Sequence, residues 1–186
     1  MKKNVYFVSG MDTGIGKSYA TGFLAHEWNA RGIRTITQKF IQTGNTELSE
    51  DIELHRRLMG IGLLPEDHER LTMPEIFTYP CSPHLAAEID GRDINFDKIE
   101  RAMDTLSERY DAVLLEGAGG LMVPLTPAAI SPSTTLPTAS CLSSLWHQAA
   151  WAASTTSCSV WKPSSAAASA CTPLPTICMR TATATT

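Results

Sequence analysis

The segment Gly10-Met11-Asp12-Thr13-Gly14-Ile15-Gly16-Lys17-Ser18 constrains this chain more than any other. It follows a short apolar run, Val5-Tyr6-Phe7-Val8, and precedes a stretch in which Ala20, Phe23, Leu24 and Trp28 recur at helical spacing up to Gly32. Strand, glycine loop and helix in that order form a phosphate-binding loop. The glycines let the backbone bend so that successive N–H groups point at phosphate oxygens. The helix N-terminus adds about half a positive charge, and Lys17 adds a whole one. Ser18 is then placed to bind Mg²⁺. The usual spacing is G-x-x-x-x-G-K-[ST]; here five residues separate Gly10 from Gly16, so the loop is a variant with one extra residue.

The rest of the front part alternates strand and helix. Arg34 to Phe40 reads as a second strand, and Ile52 to Leu58 as a helix started at Ser49 with acids in its first turn. A loop-like stretch carrying Pro65, Pro74, Pro80 and Pro83 follows. Phe96 to Leu106 reads as an amphipathic helix, and Asp111 to Glu116 as an apolar strand ending in an acid. Such a pattern predicts an α/β fold, a parallel sheet with helices on both faces. A magnesium nucleotide needs oxygen ligands near the strand ends, and Glu116 and Asp51 are the candidates. Each also fits a plainer role, Glu116 as a helix cap or solvated strand end and Asp51 as a helix-start acid.

A net charge of −4 argues against a general nucleic-acid or anionic-membrane binder, so small molecules or protein are the expected partners. No signal-like start and no membrane-length apolar run is present, which predicts a cytoplasmic protein. The five cysteines lack the spacing of zinc or redox sites.

These motifs together resemble the dethiobiotin synthetase family. Its members carry a G-x-D-T-x-x-G-K-[ST] loop, a K-x-x-x-[ST]-G segment, an acid in the next loop, an S-P-H segment and an E-G-A-G-G strand end. Their counterparts here are Gly10 to Ser18, Lys39-Phe40-Ile41-Gln42-Thr43-Gly44, Asp51, Ser82-Pro83-His84 and Glu116-Gly117-Ala118-Gly119-Gly120. Phe40 departs from the proline that many members carry. The likeness spans about residues 1–126, a P-loop NTPase-type core.

The resemblance implies ATP- and Mg²⁺-dependent closure of the ureido ring from 7,8-diaminopelargonate and CO₂, by way of a carbamate and a carbamic-phosphoric anhydride. It implies ATP binding by Asp12, Thr13, Gly14, Ile15, Gly16, Lys17 and Ser18, and a metal held by Ser18, Asp51 and Glu116. Lys17, Lys39 and Thr13 would be catalytic, while Lys39, Thr43, Gly117, Ala118 and Gly119 would meet the organic substrate. The family also implies a homodimer. In a competing reading the loop belongs to a partner-switching P-loop ATPase, but such switches usually carry a second lysine inside the loop, where this chain has Met11. In a third reading the chain is an inactive, truncated form of the synthetase.

Residues 127–186 differ in kind. Every Asp and Glu lies at or before Glu116, every Gly at or before Gly120, and the tail's formal charges are Lys162 and Arg180. Rich in Ala, Ser, Thr and Pro, it lacks the Gly, Asn and Asp that close turns and shows no sustained period. The sheet is therefore expected to be incomplete at its C-terminal side, with an exposed strand edge. We read the tail as frameshifted. Read one base earlier, suitable codons from Trp146 to Ser159 give a G-x-L-G-x-I-N-H pattern of the kind the family shows. Trp has a single codon, so Trp146 before His147 must then yield Ala, and Trp151 before Ala152 must yield Gly. The other reading is a disordered low-complexity tail.

Overall fold

The computed structural model describes residues 4–10, 13–120, 123 and 125, together with the backbone of 176–179. In chain order the elements are β1 (Val5–Gly10), α1 (Lys17–Ala30), β2 (Thr35–Lys39), β3 (Gln42–Thr43), α2 (Glu50–Met59), α3 (Pro65–His68), β4 (Ile76–Phe77), α4 (Pro83–Ile89), α5 (Phe96–Arg109), β5 (Ala112–Glu116) and β6 (Thr176–Met179). The main sheet runs β2-β5-β1-β6 with every neighbouring pair parallel, and β3 and β4 form a separate parallel pair.

Side chains alternate across a strand, so each strand supplies both faces of the sheet. Val5 and Phe7 of β1, Ile36 of β2, and Val113 and Leu115 of β5 share one core with Ile99, Met103 and Leu106 of α5. On the opposite face Val8 and Leu114 pack with Ala25 of α1 and Met59 of α2, and Tyr6 meets Trp28 edge-on at 4.9 Å between ring centroids. Burial on both faces is why β1 and β5 read as largely apolar runs.

The helix starts are set by local chemistry. Ser49 Oγ accepts from the Ile52 N–H at 3.2 Å, and Asn95 Oδ1 from the Lys98 N–H at 2.9 Å. Helix α1 ends at Ala30, with Gly32 beyond its C-cap Arg31 at φ 83°. The proline-bearing stretch read as loop in fact contains α3, β4 and α4. Pro65 and Pro83 occupy first helical positions, where a missing N–H costs nothing and a fixed φ favours the helix.

The sheet is open, with β2 and β6 as its outer strands. No element was predicted in the tail, yet Thr176–Met179 pairs with β1 in parallel register, Phe7 opposite Thr176 and Gly10 opposite Met179. Strand β1 is therefore hydrogen-bonded on both sides, which places the loop that follows it at the middle of the sheet rather than at its rim.

Candidate active site

The loop after β1 adopts the backbone its glycines permit. Gly14 and Gly16 have φ of 74° and 89°, in the left-handed region that other residues enter only at a cost. Gly16 caps α1, its carbonyl accepting from the Ala20 N–H at 3.0 Å, and Lys17 and Ser18 fill the first turn. The first-turn N–H groups and the buried Lys17 thus gather positive potential at one place. There Thr13, Gly14, Gly16, Lys17, Ser18 and Gly119 line a cavity of about 290 Å³. Tyr19, Lys39, Asp51, Leu54 and Glu116 complete its wall.

Two carboxylates and an ammonium meet beside the loop. Ser18 Oγ lies 2.7 Å from Asp51 Oδ1 and 2.8 Å from Glu116 Oε1, its hydroxyl shared between the two acceptors. Lys39 Nζ donates to Glu116 Oε1 at 2.8 Å and also pairs with Asp51. The register explains the meeting, because Lys39 of β2 stands opposite Glu116 of β5 and the two strands present these residues on one face. Burial pushes the Lys39 ammonium down, but Glu116 and Asp51 outweigh it and raise its pKa above the usual lysine value. Burial likewise pushes the Glu116 carboxyl up. The hydrogen bond from His55 and the charge of Lys39 override this and bring it to about 2.

The sequence reading missed the groups behind Glu116. His55 Nε2 lies 2.8 Å from Glu116 Oε2, and its Nδ1 lies 3.0 Å from Thr37 Oγ1. Arg56 donates to Thr37 Oγ1 at 2.9 Å and forks onto Asp67 at 2.8 and 2.7 Å. Burial pushes the Asp67 carboxyl up, yet the hydrogen bond and charge of Arg56, with Thr72 and the Leu64 N–H, hold it below the usual range. Two signals pointed this way: His55 follows Asp51 by four residues on one helical face, and Thr37 precedes Lys39 by two on one face of β2.

Among the expected site residues, Thr13, Gly14, Gly16, Lys17, Ser18, Lys39, Asp51, Glu116 and Gly119 surround the cavity. Ile15 is not in its lining, nor are Thr43, Gly117 and Ala118. Thr43 lies in β3, paired with Phe77, and the Ala118 methyl joins the apolar core. Gly117 passes close to Phe7: a Cβ there would lie 3.0 Å from the ring's Cζ. Asp12 lies outside the described residues. Among the described residues no group of three or more His, Cys, Asp or Glu could hold a metal, and no helix is long and apolar enough to cross a membrane.

A parallel sheet, a glycine loop running into a lysine and serine at a helix start, and acids at neighbouring element ends define a P-loop nucleotide-binding domain. The chain belongs to the AAA domain family, whose model matches residues 4–133. It is 54% identical over 127 residues to the ATP-dependent dethiobiotin synthetase BioD of Chlorobaculum tepidum, covering 68% of this chain and 53% of that protein. It is 52% identical over 120 residues to BioD 2 of Pasteurella multocida, covering 64% and 56% respectively. For BioD 2 of Haemophilus influenzae the figures are 51% over 120 residues, 64% and 63%. The chain thus spans between half and two thirds of the length of these curated relatives.

Proposed function

We propose that this domain binds MgATP and belongs to biotin biosynthesis, forming dethiobiotin from 7,8-diaminopelargonate and CO₂. The observation that carries the reading is the convergence of Ser18, Asp51, Glu116 and Lys39 at one wall of the phosphate-loop cavity. Its support in kind is the name shared by the relatives that are more than half identical over the same residues.

The donor set fits magnesium. Mg²⁺ takes hard oxygen ligands, one or two carboxylates with the rest from water and phosphate, and here a hydroxyl and two carboxylates gather with an ammonium that leaves them one net negative charge. Ser18, Asp51 and Glu116 would hold the ion. Bound there, it would supply neutralisation of phosphate charge.

One amine of the diamine takes up CO₂ as a carbamate, losing a proton. A carbamate oxygen then attacks the γ-phosphorus of ATP and ADP leaves. The second amine attacks the carbonyl carbon, loses its proton, and phosphate leaves as the ring closes. Carbamate and γ-phosphate are both anions, so cations must stand between them, and positioning with charge stabilisation supplies most such catalysis. Lys17 serves the β- and γ-phosphates and Lys39 the attacking carbamate. Thr13 and Thr43 serve as hydrogen-bonding groups for the substrates, and the backbone of Gly117, Ala118 and Gly119 as their close neighbour.

Residues 1–126 form the synthetase core in this reading, and 127–186 are a frameshifted replacement for the remaining part, which in the family also builds a homodimer. Sequencing the coding DNA around Thr126 to Ala129 tests the second statement; an unaltered frame there sinks it. The function is tested by following ADP release with and without diaminopelargonate and bicarbonate. In the frame-restored protein, release that depends on the diamine is expected, and none from the chain as written. Release at the same rate without it would point to a partner-switching ATPase instead.

A further inference from the structure

We propose that His55 is a positioning residue, which aims the Glu116 carboxylate at the metal-binding corner through a buried hydrogen-bond chain anchored on Asp67. The proposal rests on the MgATP reading of the same site.

Glu116 divides its two oxygens between two tasks. Oε1 faces the cavity side, where Ser18 and Lys39 donate to it at 2.8 Å each, while Oε2 faces His55 Nε2 at 2.8 Å. The terminal torsion of a glutamate is broad and roughly two-fold, so nothing intrinsic holds one oxygen forward. A donor on Oε2 supplies that hold. It does so only if Nε2 carries a proton, and the carboxylate in front of the ring and the chain behind it are compatible with that tautomer.

Arg56 has donors and no acceptor, so Thr37 Oγ1 must accept from its Nη1 at 2.9 Å. The Thr37 hydroxyl hydrogen is then available to His55 Nδ1 at 3.0 Å, while Glu116 Oε2, an acceptor only when ionised, calls for the proton on Nε2. Arg56 cannot swing away. Its Nε and Nη2 fork onto Asp67 at 2.8 and 2.7 Å, and Asp67 also accepts from Thr72 Oγ1 at 2.6 Å and the Leu64 N–H at 2.7 Å.

Thr37, His55, Arg56, Asp67 and Glu116 are each no more than 2% exposed. A fully satisfied polar chain in such a place rigidifies what it touches, whereas packing alone would be served as well by apolar side chains. The histidine also reaches its place by a specific close approach. Gly22 of α1 lies so near α2 that a Cβ there would come within 2.7 Å of Leu58 Cδ1 and 3.2 Å of His55 Cα. Helix α2 thereby delivers Asp51 to the metal corner and, one turn later, the group that orients the corner's other acid. Donors behind metal-binding groups commonly set affinity by 10- to 100-fold.

The test titrates Mn²⁺ onto the full chain with ATP by electron paramagnetic resonance, and separately measures ATP affinity in EDTA. His55→Leu should weaken Mn²⁺ binding about tenfold or more while leaving metal-free ATP affinity within about twofold. His55→Gln, whose amide can donate to Glu116, should recover most of the loss, and Thr37→Val should weaken Mn²⁺ in the same direction by less. A folded His55→Leu with unchanged Mn²⁺ affinity, or with equal loss of metal and metal-free ATP binding, overturns the proposal. If His55→Leu does not fold, Thr37→Val decides, and unchanged Mn²⁺ affinity in it is the overturning result. A parent chain that binds no Mn²⁺ with ATP removes the site reading and this proposal with it; a parent that binds beside unaffected variants removes this proposal alone.

Discussion

Lys39 and Glu116 stand opposite one another in the β2–β5 ladder, and the lysine ammonium lies 2.8 Å from the carboxylate that ends β5. Because both side chains are almost fully buried, the pair sits where a lone charge would be strongly disfavoured. Asp51 adds a second carboxylate to the same ammonium. Lys39 therefore has a structural duty in the metal-free protein beside its proposed duty toward the carbamate.

Lys39→Met tests that duality. Removing the ammonium leaves Asp51 and Glu116 facing each other, which should cost about 3 kcal/mol in EDTA, the scale of breaking a buried pair. Magnesium should then stabilise the variant more than the parent, since the ion would neutralise the same acids. Urea melts in EDTA and in Mg²⁺ report this, and an equal magnesium effect on both proteins would contradict it. In the frame-restored protein, ATP affinity should stay near the parent value while diamine-dependent ADP release collapses.

Lys17→Ala should act on the nucleotide instead. Losing a charge-assisted hydrogen bond to phosphate is worth about 1.5 to 3 kcal/mol, or about 10- to 100-fold in affinity. Calorimetric titration with ATP reads it directly. Unaltered binding would remove Lys17 from the phosphate site.

The contrast between these lysines shows what a sequence can display. Lys17 was legible because strand, glycines, lysine and serine are contiguous, and their local geometry is dictated by backbone freedom and helix ends. Asp51 and Glu116 were visible only as acids at element ends. Their meeting at Ser18 depends on β5 lying between β1 and β2, an order that chain sequence alone leaves open. His55, Thr37, Arg56 and Asp67 were not read at all. Each is an ordinary residue on its own element, and their connection spans α2, β2 and α3. The mixed helices and strand between Pro65 and Ile89 were hidden by prolines that begin helices as readily as they end them. Strand β6 had no periodic signal, since four residues of extended backbone can be held by β1 without any pattern of their own.

The Arg56–Asp67 pair should be among the most sensitive points of the fold. Both residues are within 2% of full burial, so Arg56→Met or Asp67→Asn alone strands a charge and should cost about 3 to 5 kcal/mol. Replacing both, as Arg56→Met with Asp67→Leu, should recover much of that loss in denaturation midpoints. A double variant as unstable as the sum of the singles would mean that the two residues are not coupled.

Acid should attack the site through Glu116. Its carboxyl lies at about 2 in the folded protein against an ordinary value of 4.5, a depressed pKa, so the stability it contributes is complete above pH 4.5 and is lost as pH falls toward 2. A difference of that size corresponds to about 3 kcal/mol. Asp67 is depressed as well, so acid unfolding will have more than one contributor. Glu116→Gln keeps the shape and removes the titration. It shifts stability at neutral pH by leaving Lys39 with Asp51 alone, but its decline between pH 4.5 and 2 should be shallower than the parent's by about the same 3 kcal/mol. Urea denaturation at half-unit pH intervals measures both slopes. Parallel curves would show that the carboxylate at the end of β5 is not held ionised by His55 and Lys39, and the electrostatic account of the corner would have to be rebuilt around Asp51.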